Sequence, residues 1–553
     1  MIRKRKGVGE FGGVQSTENE ANSAVRSSSS FATRMRIFLL LNMLIALIII
    51  FHYRSPATEG SFLRIADKIL LSDLTSPHIL DIQTEGNRTG RKPDKIDDLT
   101  SLDHKKRSHA DLSSSHIIHI QSVGNRTVAD FDLPTTFPPN YHCWDTSPRD
   151  FTKNPIFVLA SYVAPHAPEK VDTCDVPCFY SRGSPEAPFA DSVIDFAMIG
   201  GMSASLQCPY AKEAKASMES PHIYPSYALD PNREYIAMTV ELKSDVTVGY
   251  YSWVDYKMMA PVQPKTAESL AATFISNCGG LSGRGEVLEQ LMRYGVTSDN
   301  FGRCHHNKEE PPTGKVNLLK SYKFGFAMEN SIWQDYVTEK LFQVYVSGAV
   351  PIVVGAPNSH DYEPLPGSII YDKDFHSIEA MAKHILYLAS NDTAYNEYLR
   401  WKRDGPSDKF KALMDISAVH SRCRLCIKLA DQHVEKYGDF HDISTMETQG
   451  KLTLLIRERN TFYFRPLSLT ENDMNIPSMN AAIFDVFQDR LPVWYNDRPE
   501  ALKGNTWKIY RVYRYNGAKQ TMYDTLFDDR ILIDSDSKLQ SLKQGTKLEV
   551  IFV

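Results

Sequence analysis

Residues 323–355 read KFGFAMENSIWQDYVTEKLFQVYVSGAVPIVVG, and their pattern indicates one βαβ unit. The pattern predicts, in order, a strand, a polar loop, a helix and a second strand, at Lys323–Ala327, Met328–Asp335, Tyr336–Ser347 and Ala349–Val354. Gly348 would end the helix as a C-cap residue. The second strand is apolar and β-branched, which is typical of a strand buried on both faces. Ligands of such units lie beyond the carboxyl ends of the strands, where a helix N-terminus presents N–H groups to an anion.

The predicted helix has two different faces. Its apolar face recurs at helical spacing and consists of Val337, Leu341 and Val344. Its polar face consists of Tyr336, Glu339 and Lys340. Spacing alone favours an ordinary solvated charged face over a binding site, so a functional interpretation needs a second signal.

That second signal is a resemblance to a known family. The motif FxxEN, followed by YVTEK and VPIVVG, resembles the donor-binding signature of the family-10 α1,3-fucosyltransferases. Four further segments are similar to the plant-type core α1,3-fucosyltransferases, which modify the innermost N-acetylglucosamine of N-glycans: DVTVGYYSW from Asp245, MMAPVQPK from Met258, FISNC from Phe274 and AVHSRCRLCI from Ala418. The resemblance spans about residues 140–553. It implies a GT-B-like architecture, in which two α/β domains face each other across a cleft.

The resemblance also implies a site. Glu219, in the sequence Met218-Glu219-Ser220, would be the general base, because a sugar hydroxyl is a poor nucleophile until a carboxylate takes its proton. The donor GDP-fucose would be held by Arg284, Asn330, Tyr336, Glu339 and Lys340. Without the resemblance, Glu219 and Arg284 would be interpreted as exposed charged residues.

The implied chemistry follows from these roles. Arg284 and Lys340 would face the pyrophosphate, where negative charge collects as GDP leaves. Tyr336 and Glu339 would surround the ribose and phosphate, and Asn330 would lie at the sugar or the diphosphate. Transfer would invert the β-linked donor to an α-linked product in one displacement. No cofactor or metal ligand is required, and stimulation by Mn²⁺ or Mg²⁺ is compatible with this chemistry.

The N-terminus is predicted to be a targeting segment. Residues 1–36 carry seven basic and three acidic side chains, and the run Ile37–Phe51 is apolar except for Asn42. The run is shorter than the roughly 20 residues of an ordinary membrane-spanning helix, but a thin early-secretory membrane would accept it. The charge pattern predicts a cytosolic tail at 1–36, an uncleaved signal anchor at 37–53 and a luminal remainder. A cleaved signal peptide is the less favoured alternative, since no clear cleavage site follows.

Residues 54–140 are predicted to be a disordered, glycosylated stem, because they are polar and lack a sustained period. N-x-T sequons at Asn87, Asn125 and Asn391 fit a luminal glycoprotein. Together with the anchor, they predict a single-pass type II protein of the Golgi membrane.

All eight cysteines lie beyond the anchor. An even number of cysteines in a luminal chain indicates disulfides, although spacing leaves the pairing open. A zinc site built from Cys174, Cys178, Cys423 and Cys426 is a weaker alternative, since no histidine spacing supports it.

Three folded parts are predicted: an acceptor-side α/β domain at 141–310, a GDP-fucose-binding α/β domain at 311–440 and an α+β module at 450–553. Strands of the first domain are expected at Ile156–Ala160, Val193–Ile199, Ile236–Val240 and Thr247–Tyr250. Another strand is expected at Ser368–Tyr371. Helices are expected at Glu286–Tyr294, Ile378–Ala389 and Ala394–Arg403. The C-terminal module should contain four strands, at Thr453–Arg457, Lys508–Tyr513, Arg530–Ile533 and Leu548–Val553. One helix is expected there, at Ser478–Phe487. Asp534-Ser-Asp536 imitates a metal motif and is interpreted as a turn.

Three functions remain open at this level. The favoured one is fucose transfer to the N-glycan core, and the second is Lewis-type α1,3/1,4 transfer to N-glycan antennae. The third is an inactive luminal glycan-binding protein, which the intact set of Glu219, Arg284 and YVTEK disfavours. Met328, where the core enzymes commonly have Phe, and the bulky Ile332-Trp333 pair depart from the core pattern. A net charge of −5 without a long basic stripe argues against nucleic-acid binding.

Overall fold

The computed structural model describes residues 143, 147–160, 169–170, 174–182, 189–197, 200–201, 206–440, 450–488 and 508–553. The predicted tail, anchor and stem, with the sequons at Asn87 and Asn125, lie outside the described residues. In the part of the chain that is described, no helix is both long and apolar enough to cross a membrane.

The first sheet contains eight strands among the described residues, in the order β2-β3-β1-β4-β6-β7-β8, with β5 beside β4. The strands β1 to β8 are Ile156–Ala160, Glu169–Lys170, Cys178–Ser181, Ser192–Phe196, Gly200–Gly201, Lys212–Ser217, Ile236–Thr239 and Val246–Thr247. All pairs are parallel except those that β2 and β5 form. The strand predicted at Ile156–Ala160 is confirmed with the same ends. The strands expected from Val193, Ile236 and Thr247 also exist but have different ends, and the last shares only Thr247 with its prediction.

The second sheet is fully parallel, in the order β10-β9-β11-β12-β13. The strands β9 to β13 are Ala271–Thr273, Ser298–Asn300, Phe324–Met328, Val350–Val354 and Ile370–Tyr371. Because β9 and β10 belong to this sheet, the predicted domain boundary at residue 310 is wrong, and the second α/β unit already includes residue 271. Strands of three residues are too short to give a periodic signal, so the sequence pattern did not reveal them.

The helices of the second unit confirm most expectations. Helices α1 to α7 are Arg284–Arg293, Lys315–Leu319, Glu339–Ser347, Ile378–Ser390, Asp392–Tyr398, Arg400–Asp404 and Asp408–Met414. Gly348 ends α3 in the left-handed conformation with φ of 70°, as predicted. The predicted start of α3 at Tyr336 is wrong, since the helix begins at Glu339 after Thr338 as N-cap. The single helix predicted at Ala394–Arg403 is two helices that meet at Leu399.

Helix α8, Ser421–Tyr437, returns to the first sheet. Its buried residues Leu425, Ile427 and Ala430 share a hydrophobic core with strand residues such as Val158 and Ile194. The predicted donor domain of 311–440 therefore ends too late, because this helix completes the first unit instead.

Four disulfides pair all eight cysteines: Cys143–Cys208, Cys174–Cys423, Cys178–Cys426 and Cys278–Cys304. The prediction of disulfides is confirmed. The zinc alternative is wrong, because each cysteine of the proposed ligand set is bonded to another member of the set.

The C-terminal module is a four-stranded sheet in the order β15-β14-β17-β16. Strands β14 to β17 are Leu452–Glu458, Arg465–Leu469, Ile509–Arg514 and Lys547–Phe552. Helices α9 to α11 are Ile476–Phe487, Met522–Phe527 and Asp536–Gln540. The strand predicted at Arg530–Ile533 is wrong, since only Leu532 forms a bridge, to Tyr513. Asp534 and Ser535 precede α11, with Ser535 as its N-cap.

Candidate active site

The site lies where loops leave the carboxyl ends of strands β6 and β11, which belong to different sheets. Strand β6 ends at Ser217, two residues before Glu219, and β11 ends at Met328, just before the loop that leads to α3. The hydroxyl of Tyr336, at the end of that loop, donates a hydrogen bond of 2.7 Å to Oε2 of Glu219. The structure thus brings together residues 117 positions apart in the chain. It matches the rule that ligands of parallel α/β sheets bind beyond the strand ends.

The loop from Asn330 to Asp335, which we call the bridging loop, is tied to the first unit at three further points. Ser331 and Ser220 share a hydrogen bond of 2.5 Å between their hydroxyls. The indole N–H of Trp333 donates to Oε1 of Glu241 at 3.0 Å, and the Leu242 amide donates to Oδ2 of Asp335 at 3.0 Å. These bonds fix the loop against the residues that follow β6 and β7.

Asp335 is the bend that makes this path possible. Its φ of 60° lies in the left-handed region, which residues other than glycine seldom adopt. Its buried carboxylate accepts hydrogen bonds from Asn358 at 2.7 Å and from the Tyr362 hydroxyl at 3.1 Å. Burial raises the pKa of this carboxyl, against the effect of its donors. The surrounding contacts therefore stabilise a conformation that the sequence pattern does not signal.

Glu329 anchors the start of helix α3 and was not singled out in the sequence. Its carboxylate accepts the Thr338 amide at 2.8 Å and the Thr338 hydroxyl at 2.9 Å, and it is only 3% exposed. Lys340 places its ammonium 3.2 Å from Glu329 and 3.2 Å from Glu339. The Glu of the FxxEN motif and an N-cap threonine in YVTEK were the signals that could have identified this cluster.

Electrostatics favour the charged forms of Lys340 and Glu339. Burial tends to lower the pKa of Lys340, but Glu329 and Glu339 outweigh it and raise that pKa. Burial also tends to raise the pKa of Glu339, but Lys340 and hydrogen bonds leave it lowered. Burial raises the pKa of Glu329. The Lys340 side chain is 31% exposed, so its positive charge is accessible to an anionic ligand.

Arg284 lies at the start of α1 and is buried against the end of β11. Its guanidinium donates to the backbone carbonyls of Met328 at 2.9 Å and Asn277 at 2.8 Å, while its Nε has no hydrogen-bond partner among the described residues. Burial lowers its pKa, against the opposing charges of Glu329, Tyr336 and Glu339. Arg284 therefore supplies positive charge near the cluster and also holds two loops together.

Asn330 lies between these groups. In the part of the chain that the structure describes, its buried side-chain oxygen has no hydrogen-bond partner, and its backbone carbonyl accepts the Leu281 amide at 2.6 Å. A Cβ at Gly280 would come within 2.9 Å of that carbonyl, so the close approach requires glycine. The unused oxygen is compatible with a ligand contact at this position.

Tyr250 is another residue of the first unit, and it contacts the segment that contains Glu219. Its hydroxyl donates to the backbone carbonyl of Met218 at 3.0 Å. Burial and the charges of Glu219, Glu339 and Glu329 raise its pKa, which places all three carboxylates within electrostatic reach of one hydroxyl. Burial and the charges of Glu329 and Glu219 likewise raise the pKa of Tyr336.

The predicted residues are thus mostly, but not entirely, in one place. Glu219, Asn330 and Tyr336 lie in loops, and Arg284, Glu339 and Lys340 lie in the first turns of α1 and α3. Tyr336 contacts the predicted base rather than lying free for a nucleotide. Asn391 is the N-cap of α5, and its side chain accepts the Ala394 amide at 3.1 Å. Within the described ranges, no group of three or more His, Cys, Asp or Glu side chains is arranged to hold a metal ion.

Comparison with known proteins identifies the family. The model of glycosyltransferase family 10 (fucosyltransferase), C-terminal part, matches residues 263–446. A fucosyltransferase-like protein of Arabidopsis thaliana is 37% identical over 425 residues, which cover 74% of this chain and 78% of the relative. Alpha-(1,3)-fucosyltransferase B of Drosophila melanogaster is 30% identical over 182 residues, covering 30% of this chain and 40% of that protein. A crystal structure of an α1,3-fucosyltransferase with GDP aligns over 53% of this chain and 96% of its own, with a TM-score of 0.34 and 16% identity. The identity of 37% to the Arabidopsis relative over most of both chains, together with the match to the family model, shows that the chain belongs to glycosyltransferase family 10 and is a fucosyltransferase.

Proposed function

We propose that this fucosyltransferase transfers L-fucose from GDP-β-L-fucose, in α1,3 linkage, to the innermost N-acetylglucosamine of N-glycans on glycoproteins. The observation that carries the proposal is the contact between Glu219 and the donor-signature loop through Tyr336. It supports a site in which an acceptor-side carboxylate faces the loop that resembles a GDP-fucose-binding signature. The core linkage is supported by the segments from Asp245, Met258, Phe274 and Ala418 that are similar to core enzymes.

The proposed reaction is a single displacement. The acceptor hydroxyl attacks the anomeric carbon of fucose, the bond from that carbon to the β-phosphate oxygen breaks, and GDP leaves. Glu219 takes the hydroxyl proton through Oε1, because Oε2 is engaged by Tyr336. Lys340 and Arg284 offset the negative charge that develops on the leaving diphosphate. Attack on the face opposite GDP gives the α-linked product.

The proposed setting is the Golgi lumen. The apolar run Ile37–Phe51 would anchor the chain in the membrane as a type II protein, and Asn87, Asn125 and Asn391 would be glycosylated. Pairing of all eight cysteines supports an oxidising compartment.

A second candidate function is Lewis-type transfer to N-glycan antennae. Met328, at the end of β11, and Trp333, in the bridging loop, support it, because both depart from the pattern of the core enzymes. The two functions use the same donor and differ only in the acceptor.

Linkage mapping distinguishes the two candidates. The purified full-length protein is incubated with GDP-fucose and N-glycosylated acceptors, and the product is analysed by glycosidase digestion and mass spectrometry. The proposal predicts fucose on the innermost N-acetylglucosamine of the chitobiose core. Fucose on a terminal N-acetylglucosamine would support the Lewis-type function, and fucose attached directly to a protein hydroxyl would overturn both.

A further inference from the structure

Three side chains near the turn that follows Glu219 expose ring or aliphatic surface. His222 and Ile223 follow the predicted base by three and four residues and are exposed, with Ile223 at 36%. Trp333 of the bridging loop packs its half-buried ring edge-on against His222, with 5.0 Å between the ring centroids. We call His222, Ile223 and Trp333 the aromatic rim. It joins residues of both α/β units, with His222 and Ile223 from the first and Trp333 from the second.

The rim is held in place by contacts outside it. A turn fixes His222, because the amides of Ile223 and Tyr224 both donate to the Ser220 carbonyl, at 2.9 and 3.1 Å. The Ser220–Ser331 hydrogen bond of 2.5 Å links this turn to the bridging loop. Aromatic side chains held in this way bind with little loss of conformational entropy.

The polar edge of Trp333 is already occupied. Its indole N–H donates to Glu241 at 3.0 Å, so the accessible part of the side chain offers only the apolar surface of the ring. No lysine or arginine belongs to the rim, which makes it unsuited to a diphosphate. An apolar ring surface with hydrogen-bonding groups nearby suits a sugar, whose ring carries C–H groups on its faces and hydroxyls around its edge.

We propose that the aromatic rim is the acceptor subsite, in which Trp333 and His222 pack against a sugar ring of the N-glycan and direct its hydroxyl to Glu219. This inference rests on the proposed function and deepens it by naming the residues that select the acceptor. The Ser220–Ser331 bond and the Trp333–Glu241 bond then serve to hold the two sides of the subsite at a fixed separation.

The test compares variants of the full-length protein with a core N-glycan glycopeptide as acceptor. Trp333→Ala and His222→Ala each remove one side of the rim, Trp333→Phe retains an aromatic ring, and Gln334→Ala changes an exposed neighbour as the control. The measurements are KM for the glycopeptide, KM for GDP-fucose and hydrolysis of GDP-fucose without acceptor.

We expect both alanine variants to raise the glycopeptide KM by about tenfold, the loss expected for one aromatic contact. KM for GDP-fucose and donor hydrolysis should stay at the wild-type values, and Trp333→Phe should lie nearer to the wild type than Trp333→Ala. If Trp333→Ala does not fold, the exposed His222→Ala decides the question.

Unchanged glycopeptide KM in His222→Ala and Trp333→Ala would overturn the subsite while leaving the proposed function intact. An equal rise in the KM for GDP-fucose would also overturn it, because the rim would then act on the donor. A wild-type protein that hydrolyses GDP-fucose but transfers nothing to any N-glycan would overturn the proposed function and the subsite together.

Discussion

Tyr336 is the residue that connects the two halves of the site. Family resemblance implies that it lies around the ribose and phosphate of the donor, yet its hydroxyl donates to Glu219. Its ring is 1% exposed, so it has little freedom to turn toward a nucleotide. We therefore expect Tyr336 to position the base, with one carboxylate oxygen held and the other available to the acceptor.

This role gives a prediction for Tyr336→Phe. The variant loses a hydrogen bond to a charged group, which contributes about 1.5–3 kcal/mol, so kcat should fall by about ten- to hundredfold. The GDP dissociation constant, measured by isothermal titration calorimetry, should not change. Tyr235→Phe is the control, since the hydroxyl of Tyr235 donates to the backbone carbonyl of Ala228 and not to Glu219, and this variant should behave as wild type.

Weaker GDP binding in Tyr336→Phe would instead indicate that Tyr336 contacts the donor. If Tyr336→Phe weakens GDP binding in proportion to its loss of turnover, the hydroxyl contacts the nucleotide in the complex and not only the base.

Individual residues were predictable where a motif named them. FxxEN, YVTEK and the Met-Glu-Ser sequence gave four residues of the site. Glu219 and Asn330 lie in loops at the strand ends, and Glu339 and Lys340 lie in the first turn of α3. Motifs could not give the partner of each side chain, because the Tyr336–Glu219 bond depends on how two sheets face each other. Asp335 and Trp333 were missed as contacts for the same reason, since both act across the two units.

At the scale of elements, helix α8 shows how the chain closes the first unit. Two disulfides, Cys174–Cys423 and Cys178–Cys426, attach it to the strand region around β3 and close loops of nearly equal size, with separations of 249 and 248 residues. Either bridge alone closes the same long loop. The entropic benefit of the second bridge is therefore small.

Removal of these bridges should be strongly non-additive. Replacing either cysteine pair with serine should lower the melting temperature slightly, whereas replacing all four cysteines should remove about 2–5 kcal/mol of stability. Differential scanning calorimetry under non-reducing conditions measures the effect. The Cys278–Cys304 pair is the control, because it closes a separate loop of 26 residues and its removal should add independently. Simple additivity of the two α8 bridges would contradict this account.

Elements with a long periodic pattern were predictable, and short ones were not. Strands β11 and β12 with helix α3 appeared almost where the pattern placed them, because apolar runs and a C-cap glycine act locally. Strands β9 and β10 have three residues each, and α8 contains two cysteines whose disulfide partners lie 249 and 248 residues earlier in the chain. Where these elements pack depends on contacts between residues far apart in the chain. For that reason the observed domain boundaries differ from those predicted at residues 310 and 440.

At the scale of the whole molecule, the C-terminal module is part of the core and not an appendage. Its residues Tyr513, Leu526 and Ile551 belong to the same hydrophobic cluster as Phe342 and Tyr345 of α3. Arg457 of β14 donates to Asp431 of α8 at 2.9 Å and to Glu549 of β17 at 2.8 Å, and all three are buried. The module therefore stabilises both α/β units.

Arg457→Met tests this role. It leaves two buried carboxylates without a counter-charge, so we expect a loss of about 3–5 kcal/mol in the free energy of unfolding, measured by urea denaturation. Arg530→Met is the matched control, because Arg530 pairs with Asp528 at 2.8 Å but is 89% exposed. An exposed pair of this kind contributes little, and the control should unfold at the wild-type urea concentration. Equal effects of the two substitutions would argue against a structural role for the module.

We propose that a carboxylate from the first unit and the donor-signature loop of the second work as one active site. The decisive experiment measures the transfer activity and the GDP affinity of Glu219→Gln in the same preparation. We expect a loss of at least about a hundredfold in transfer with unchanged GDP affinity, while Glu213→Gln, which changes an exposed carboxylate on β6, stays fully active. Transfer at the wild-type rate by Glu219→Gln would show that this carboxylate does not act in the reaction.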